Sequence, residues 1–163
     1  MDELKSQKKL EAGGLLYKNS LAMIGLMGIP SRPGFGGEYI KKLGQSDVNV
    51  ELISNVSDFE KVDHIVICVH RHQLDTALKI SRQIKDAVNA ESLVYDENVA
   101  LVSIFSPDVK ESQKLAGHMF KALGDNNINI HGICTSFSLT TCLIESEDLE
   151  SALAALRNAF LLP

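Results

Sequence analysis

The turn Pro30-Ser31-Arg32-Pro33-Gly34, called the proline turn below, carries the residue types best suited to binding a small ligand. An apolar run ends at Ile29, and apolar residues recur at helical spacing after the turn, from Phe35 to Gly44. This pattern predicts a strand, a tight turn and a helix. Pro33 suits the first helical position, where its missing N–H group would have had no partner, so the helix cap falls on Ser31 or Arg32.

Such a helix start leaves the backbone amides of Gly34, Phe35 and Gly36 without partners. Unpaired amides at the positive end of a helix dipole form a small anion site that suits a carboxylate or a phosphate. Glycine at 34, 36 and 37 also removes the side chains that would keep a ligand away from the backbone. The same glycines would let helix and strand pack closely, and the turn alone favours that structural role.

Polar residues also flank the predicted second strand in each half of the chain. Asn49 and Asn129 each lie between apolar neighbours, and Ser54-Asn55 and Thr135-Ser136 end the strands that follow. Their amides and hydroxyls could reach a bound zwitterion. Capped turns and ordinary surface polarity explain these residues equally well.

Length and charge exclude several classes of protein. The 163 residues are 45% hydrophobic and 23% charged, which predicts a compact fold of one ordinary domain or two small ones. The net charge of -5 argues against nucleic acid and against an anionic membrane surface as partners. No apolar run has the length of a membrane span, and the start of the chain is too polar for a signal peptide, so we expect a cytoplasmic protein.

The cysteines and histidines do not predict a metal or a catalytic site. Cys68, Cys134 and Cys142 lie in apolar runs without C-x-x-C spacing, so we expect them to be buried and reduced. His64, His70 and His72 lie close in sequence, but no Cys or carboxylate completes a ligand set. We therefore expect no catalytic residues, no metal and no cofactor.

The chain contains two copies of one pattern of strands and helices. From residue 22 to residue 95 the order is strand, helix, strand, strand, helix, strand, which matches the split βαβ or ferredoxin-like motif. Three segments recur in the same order about 80 residues later. These are residues 22–26 with 100–104, 43–50 with 123–130, and 74–78 with 149–153. The predicted fold is α+β: two ferredoxin-like βαββαβ domains with antiparallel sheets and helices on one face.

The second copy lacks its fourth strand, because the chain ends after the second helix of that copy. Leu15-Leu16-Tyr17, ahead of the first copy, is a predicted strand without a partner. A bare sheet edge is a liability, so we expect this strand to fill the missing place and interlock the copies. The predicted domains are 18–97, and 13–17 with 98–163; residues 1–12 are predicted to be a linker helix or disordered.

These residues resemble the tandem ACT domains at the C-terminal end of aspartokinase. The resemblance runs from about Gly13 to the end of the chain. It rests on the proline turn with Gly28 and Ile29, and on Asn49-Val50, Ser54-Asn55-Val56-Ser57, Asn129-Ile130, Thr135-Ser136 and Cys142-Leu143-Ile144. It implies a regulatory part, because the kinase motif of that family is absent from the chain.

The resemblance also implies an effector site and partners. Carried over by position, the effector contacts are Ile29, Ser31, Gly34, Phe35, Gly36, Ser54, Asn129, Ile130 and Ser136. Where the family usually has an acidic residue for the effector ammonium this chain has Ser31, and Ser54 replaces a usual glutamine. The implied partners are a second copy of the chain and an aspartate kinase catalytic domain or subunit.

We therefore expect an amino-acid-binding module that gives feedback control of aspartate-family biosynthesis, with lysine or threonine as the possible effector. The alternative is an ACT-type dimerisation scaffold that has lost effector binding. The first copy, with its open helix start, is the expected binder.

Overall fold

The computed structural model describes residues 9–106, 108 and 111–163. In chain order the described elements are β1 Leu10–Glu11, β2 Gly14–Pro30, α1 Phe35–Gly44, β3 Val50–Ser57, β4 Val62–His70, α2 Leu74–Val88, β5 Ser92–Phe105, α3 Ser112–Asp125, β6 Gly132–Thr135, β7 Leu139–Glu145, α4 Leu149–Ala159 and β8 Phe160–Leu161. Short 3-10 turns at Arg71–Gln73 and Ser146–Asp148 lead into α2 and α4.

The chain divides into two compact units. The central unit is Ser20–Val99, and the terminal unit combines the described part of Met1–Asn19 with Ala100–Pro163. The long strands β2 and β5 each contribute residues to both units. Each unit therefore contains one copy of the repeated pattern.

The sheet of the central unit has the strand order β3-β4-β2-β5. Its inner strand β4 pairs antiparallel with both β2 and β3. Alternate strand residues face the helices, and α1 buries residues spaced four apart, because one face of a helix repeats at that spacing. The core includes Ile24, Ile67, Phe35, Tyr39, Leu43 and Ile84.

The terminal unit repeats this arrangement with the strand order β2-β5-β7-β6. Residues 14–19 of β2 occupy the place of its fourth strand, and the adjoining Gly13 amide donates to the Phe105 carbonyl at 2.8 Å. The strand that the repeat lacks thus comes from the start of the chain. A separate core includes Val102, Ile104, Met119, Leu153 and Leu156.

The segment 9–12 differs from the predicted helix or disorder. Leu10–Glu11 forms the strand β1, which pairs in parallel with β8, and the Ala12 amide donates to the Leu161 carbonyl at 2.9 Å. Its partner comes from the opposite end of the chain, so local composition could not reveal the pairing. Residues 1–8, which the same prediction included, lie outside the described residues.

Two predicted turns lie inside strands. Residues 19–20 fall within β2, and residues 96–98 fall within β5. Ser20 accommodates its position with φ 55°, and the Asp96 carboxylate accepts from the Asn98 amide at 2.7 Å. Both segments lie close to the points where β2 and β5 pass from one unit to the other.

The central sheet contains an irregularity just before the proline turn. The register of β2 against β4 shifts between Leu26 and Ile29, and Gly28 within this bulge has φ 69°. The Gly28 carbonyl accepts from the Glu91 amide at 3.2 Å. A Cβ atom at position 28 would lie 2.3 Å from Cγ and 2.6 Å from Cβ of Glu91, so glycine is required by both conformation and space.

We expect Gly28→Ala to destabilise the protein by about 1–3 kcal/mol, because it combines a left-handed backbone with a steric clash. Urea unfolding followed by circular dichroism measures the effect. Gly44→Ala is the matched control, since a Cβ there meets nothing within 4 Å. Equal stability of the two variants would contradict this account of the bulge.

Candidate functional site

The helix after the proline turn begins at Phe35, two residues later than the predicted first helical position at Pro33. Gly34 is the N-cap, with φ 85° and ψ -7°, and Phe35 is the first residue of α1. Pro33 therefore lies in the turn, because the left-handed conformation that the chain needs before the helix falls on a glycine. The predicted capping by Ser31 or Arg32 is wrong: no side chain caps this helix.

The first-turn amides are only partly free. The Phe35 amide, predicted to be unpaired, donates to the Arg32 carbonyl at 3.4 Å. The next amides, of Gly36 and Gly37, have no intrahelical acceptor, as at any helix start. A Cβ atom on Gly34 or Gly37 would meet nothing within 4 Å. A small molecule can therefore approach this backbone in the central unit.

A pair of opposite charges lies beside these amides. Nη2 of Arg32 is 2.5 Å from Oε2 of Glu38, and both side chains are about half exposed, at 49% and 44%. The guanidinium carbon lies 5.8 Å from the centre of the Phe35 ring. The hydrogen bond from Arg32, and then its charge, lower the pKa of Glu38. Glu38 is not among the site residues predicted from the sequence, although an acid in the first turn of a helix indicates a favourable interaction with the helix dipole.

The other sites predicted in the central unit have distinct environments. Ile29 is fully buried in the core, so a contact with a ligand would come from its backbone. The Ser31 amide donates to the Lys61 carbonyl at 3.3 Å, which ties the proline turn to the β3–β4 turn. Ser54 lies on β3 opposite Val66 and is half-buried.

The remaining predicted sites lie in the terminal unit. Asn129 and Ile130 lie in an irregular segment that precedes β6, which begins at Gly132. Ser136 is in the β6–β7 turn, where its hydroxyl accepts from the Leu139 amide at 3.2 Å.

A cavity of about 560 Å³ opens beside Ser136. Its walls are hydroxyl-bearing, amide and apolar side chains: Ser112, Gln113, Ala116, Thr135, Ser136, Phe137 and Thr140. Thr140 is only 4% exposed, and none of these side chains is ionisable at neutral pH. The cavity therefore suits a small uncharged polar group. Asn129 and Ile130 are not among its lining residues.

The buried hydroxyl of Tyr39 anchors α1 to α2. It lies 2.6 Å from Oγ of Ser81, which also donates to the Ala77 carbonyl at 2.7 Å. Burial raises the pKa of Tyr39 to about 12, and the Ser81 hydrogen bond acts in the opposite direction. This link fixes the helix whose first turn carries the exposed amides.

Outside these regions the structure corrects the expectation that all three cysteines are buried. Cys134 is exposed, not buried, because β6 is an edge strand; Cys68 and Cys142 are buried. Burial raises the pKa of both buried thiols to about 12.

Among the described residues no group of three or more His, Cys, Asp or Glu side chains could hold a metal ion. Within the same residues no helix is long and apolar enough to cross a bilayer.

Comparison with known proteins finds that residues 102–160 match the family model of the ACT domain. An aspartate kinase from Stutzerimonas stutzeri is 29% identical over 160 residues, which are 98% of this chain and 39% of that protein. The chain thus spans about two fifths of the length of the curated relatives it matches.

Solved structures extend the match. The structure of aspartate kinase from Synechocystis is 26% identical, with a TM-score of 0.85 over 93% of this chain and 28% of that one. The ligand-free regulatory subunit from Thermus thermophilus is 24% identical, with a TM-score of 0.83 over 92% of this chain and 99% of that one. The predicted α+β fold, with helices and antiparallel sheets like a tandem ACT subunit, is confirmed. Over nearly its whole length the chain is similar to the C-terminal regulatory region of aspartate kinases.

We expect Tyr39→Phe to lower the free energy of unfolding by about 1 kcal/mol at pH 7, because it removes one buried hydrogen bond. The folded pKa of Tyr39 lies above its ordinary value of 10.0. Its contribution is therefore complete below about pH 10 and is lost as the pH rises towards about 12. The variant should lose less stability than the wild type over that range, which urea unfolding at several pH values measures.

The exposed Tyr95→Phe is the control and should follow the wild type at every pH. The buried thiols contribute an alkaline loss in the same direction, but equally in all three proteins. An identical alkaline loss in Tyr39→Phe and the wild type would show that the Tyr39 hydroxyl is not buried in solution.

Proposed function

We propose that this chain is an amino-acid-binding regulatory module that gives feedback control of aspartate-family biosynthesis. The observation that carries the proposal is the open first turn of α1 beside the Arg32–Glu38 pair. Free amides and a cation suit the carboxylate of an amino acid, and an adjacent carboxylate suits its ammonium group. Lysine or threonine, end products of the pathway, are the proposed effectors.

The family that this sequence resembles usually has an acidic residue where this chain has Ser31. Glu38 supplies a carboxylate beside the same turn. The ligand ammonium would compete with Arg32 for this carboxylate while the ligand carboxylate takes the guanidinium. The exchange keeps every charge paired, so the bound zwitterion leaves no unpaired charge at the turn. A charged hydrogen bond of this kind contributes about 1.5–3 kcal/mol.

The cavity of the terminal unit supports a role for Ser136 in the same function. Its hydroxyl-bearing walls can bind the uncharged side chain of an amino acid such as threonine, and the described residues that line it offer no counterion to the lysine ammonium. Asn129 and Ile130, which lie outside the cavity, are proposed contacts on the resemblance alone.

The proposed partners are an aspartate kinase catalytic domain or subunit and a second copy of this chain. The first proposal is supported by the relatives, which are aspartate kinases that extend well beyond the matched region. The second is supported by two apolar side chains at corresponding hairpin turns of the two units. Phe59, between β3 and β4, is fully exposed, and Phe137, between β6 and β7, is 82% exposed.

Amino-acid binding should appear as a rise in thermal stability when threonine, lysine or methionine is added alone. A ligand at 100 times its dissociation constant stabilises by about 2.7 kcal/mol. Gly36→Val should abolish the rise, because side chains on a helix lean towards its N-terminus and this one would cover the first-turn amides. Ala116→Leu, which fills the terminal cavity, tests the contribution of that unit separately.

Gly44→Val is the matched control, since it makes the same change at the other end of α1 and should keep the full response. If Gly36→Val keeps the rise in thermal stability, the amino acid binds somewhere other than the proline turn. A flat response of the wild type to all three amino acids, with the dimer intact, would favour the scaffold alternative.

Self-association should weaken when the exposed aromatic side chains are removed. We expect Phe59→Ser or Phe137→Ser to raise the dimer dissociation constant by about ten-fold or more, as for an aromatic residue at the centre of an interface. Sedimentation velocity over a concentration series measures this, with Tyr95→Ser as the control. A wild type that stays monomeric throughout would exclude the proposed homodimer.

A further inference from the structure

The side chain of His64 connects the bulge before the proline turn to the β3–β4 turn. Its Nδ1 atom lies 3.3 Å from the amide nitrogen of Gly28. Its Nε2 atom lies 3.3 Å from Oδ2 of Asp58. The imidazole is 30% exposed, so it is partly shielded by the strands on which these groups lie.

These contacts determine which nitrogen carries the proton. A backbone amide can only donate, so Nδ1 must offer a lone pair to Gly28. The hydrogen of the neutral ring therefore resides on Nε2, where it can be donated to the Asp58 carboxylate. In this tautomer both nitrogens are satisfied at once.

Asp58 is a fixed partner for this ring. Its Oδ1 atom accepts from the amides of Glu60 and Val62, each at 2.9 Å. The hydrogen bond from Val62 is the largest cause that lowers the pKa of its carboxyl group. The carboxylate thus stays charged and in place while His64 donates to it.

Gly28 is held from the other side as well. Its carbonyl accepts from the Glu91 amide, and the Glu91 side chain packs across its α-carbon. One residue later Ile29 enters the core, and the Ser31 amide donates to the Lys61 carbonyl of the β3–β4 turn. The path of the chain into the proline turn therefore depends on the hydrogen bond that the Gly28 amide donates to Nδ1 of His64.

We propose that His64 is a positioning residue for ligand binding at the proline turn, acting in its neutral Nε2-protonated form through the Gly28 amide. This inference rests on the proposed amino-acid site for its ligand, but the contact that carries it exists without ligand. Protonation of the ring places a hydrogen on Nδ1, which then faces the Gly28 N–H as a second donor. The turn loses its support, and affinity falls as the ring becomes charged.

The acidic groups around the ring do not reverse the loss of affinity that protonation of His64 is expected to cause. Asp58 accepts from Nε2 in both protonation states, and Glu91 packs against Gly28 from the opposite side of the bulge. Neither group can replace the lone pair that Nδ1 loses. The corresponding strand position in the second copy carries Leu139, so this contact is special to the central unit.

Two amide substitutions separate the two ends of the ring. His64→Asn retains an acceptor at the δ position but cannot reach Asp58, whereas His64→Gln can reach Asp58 but has no acceptor at the δ position. In ¹⁵N-labelled, ligand-free protein at neutral pH, we expect the Gly28 amide resonance to report the hydrogen bond to Nδ1 of the wild-type ring. It should keep its neutral-pH position in His64→Asn and shift in His64→Gln, together with the Ser31 and Gly34 amides.

Threonine, lysine and methionine, each titrated alone at neutral pH, then report on binding. The loss of one supporting hydrogen bond predicts about five-fold weaker affinity for His64→Gln and little change for His64→Asn. His72→Asn, which changes an exposed histidine of the same unit, is the control. Melting temperatures confirm that all variants fold.

A Gly28 resonance that His64→Gln leaves unchanged, or a proton found on Nδ1 in the neutral ring, would overturn the proposal. Equal affinities of His64→Asn and His64→Gln would overturn it too. If none of the three amino acids binds the wild type, the proposed function fails, and the resonances of the proline turn in the ligand-free variants still decide whether His64 positions it.

Discussion

An interior strand of a sheet must pair its backbone N–H and C=O groups on both sides, so β5 of the terminal unit needs a second neighbouring strand besides β7. Residues 14–19 supply that strand, so the first segment of the chain folds with the last. An unpaired edge in that place would leave a row of donors and acceptors open to other chains. The division of a continuous repeat into a central and a terminal unit, and the paths of β2 and β5 through both, follow from this requirement.

The candidate site is built mainly from backbone. Two glycines with positive φ, Gly28 and Gly34, bracket the proline turn. The first creates the bulge that directs the chain out of the sheet, and the second starts the helix that presents its amides. The side chains of Arg32 and Glu38 then add one charge of each sign. A ligand with a carboxylate and an ammonium group on one carbon matches this combination of features more closely than a phosphate does. A phosphate has no cationic group that could pair with the Glu38 carboxylate.

The errors of sequence interpretation share one cause: local signals compete with partners distant in sequence. Polar residues at 19–20 and 96–98 are typical of turns, yet both segments continue as strands because each has a neighbour along its length. Leu10 and Glu11 lie in a charged segment typical of helix, yet they pair with the end of the chain. Proline at position 33 suits a helix start, but the helix begins only at Phe35, because the left-handed residue that must precede it is Gly34. Cys134 sits in an apolar run, but an edge strand leaves it exposed.

The sequence by itself determined the class of fold, the twofold repeat and the proline turn, because hydrophobic periodicity, proline and glycine act over a few residues. It also showed the resemblance to the aspartokinase ACT domains, because short motifs and the spacing between their residues can be read directly from the sequence. Only the tertiary structure decided that the Gly28 amide meets His64, that Arg32 pairs with Glu38 across the turn, and that a cavity opens beside Ser136. Those contacts join residues whose closeness depends on strand register and helix placement, which no local pattern encodes.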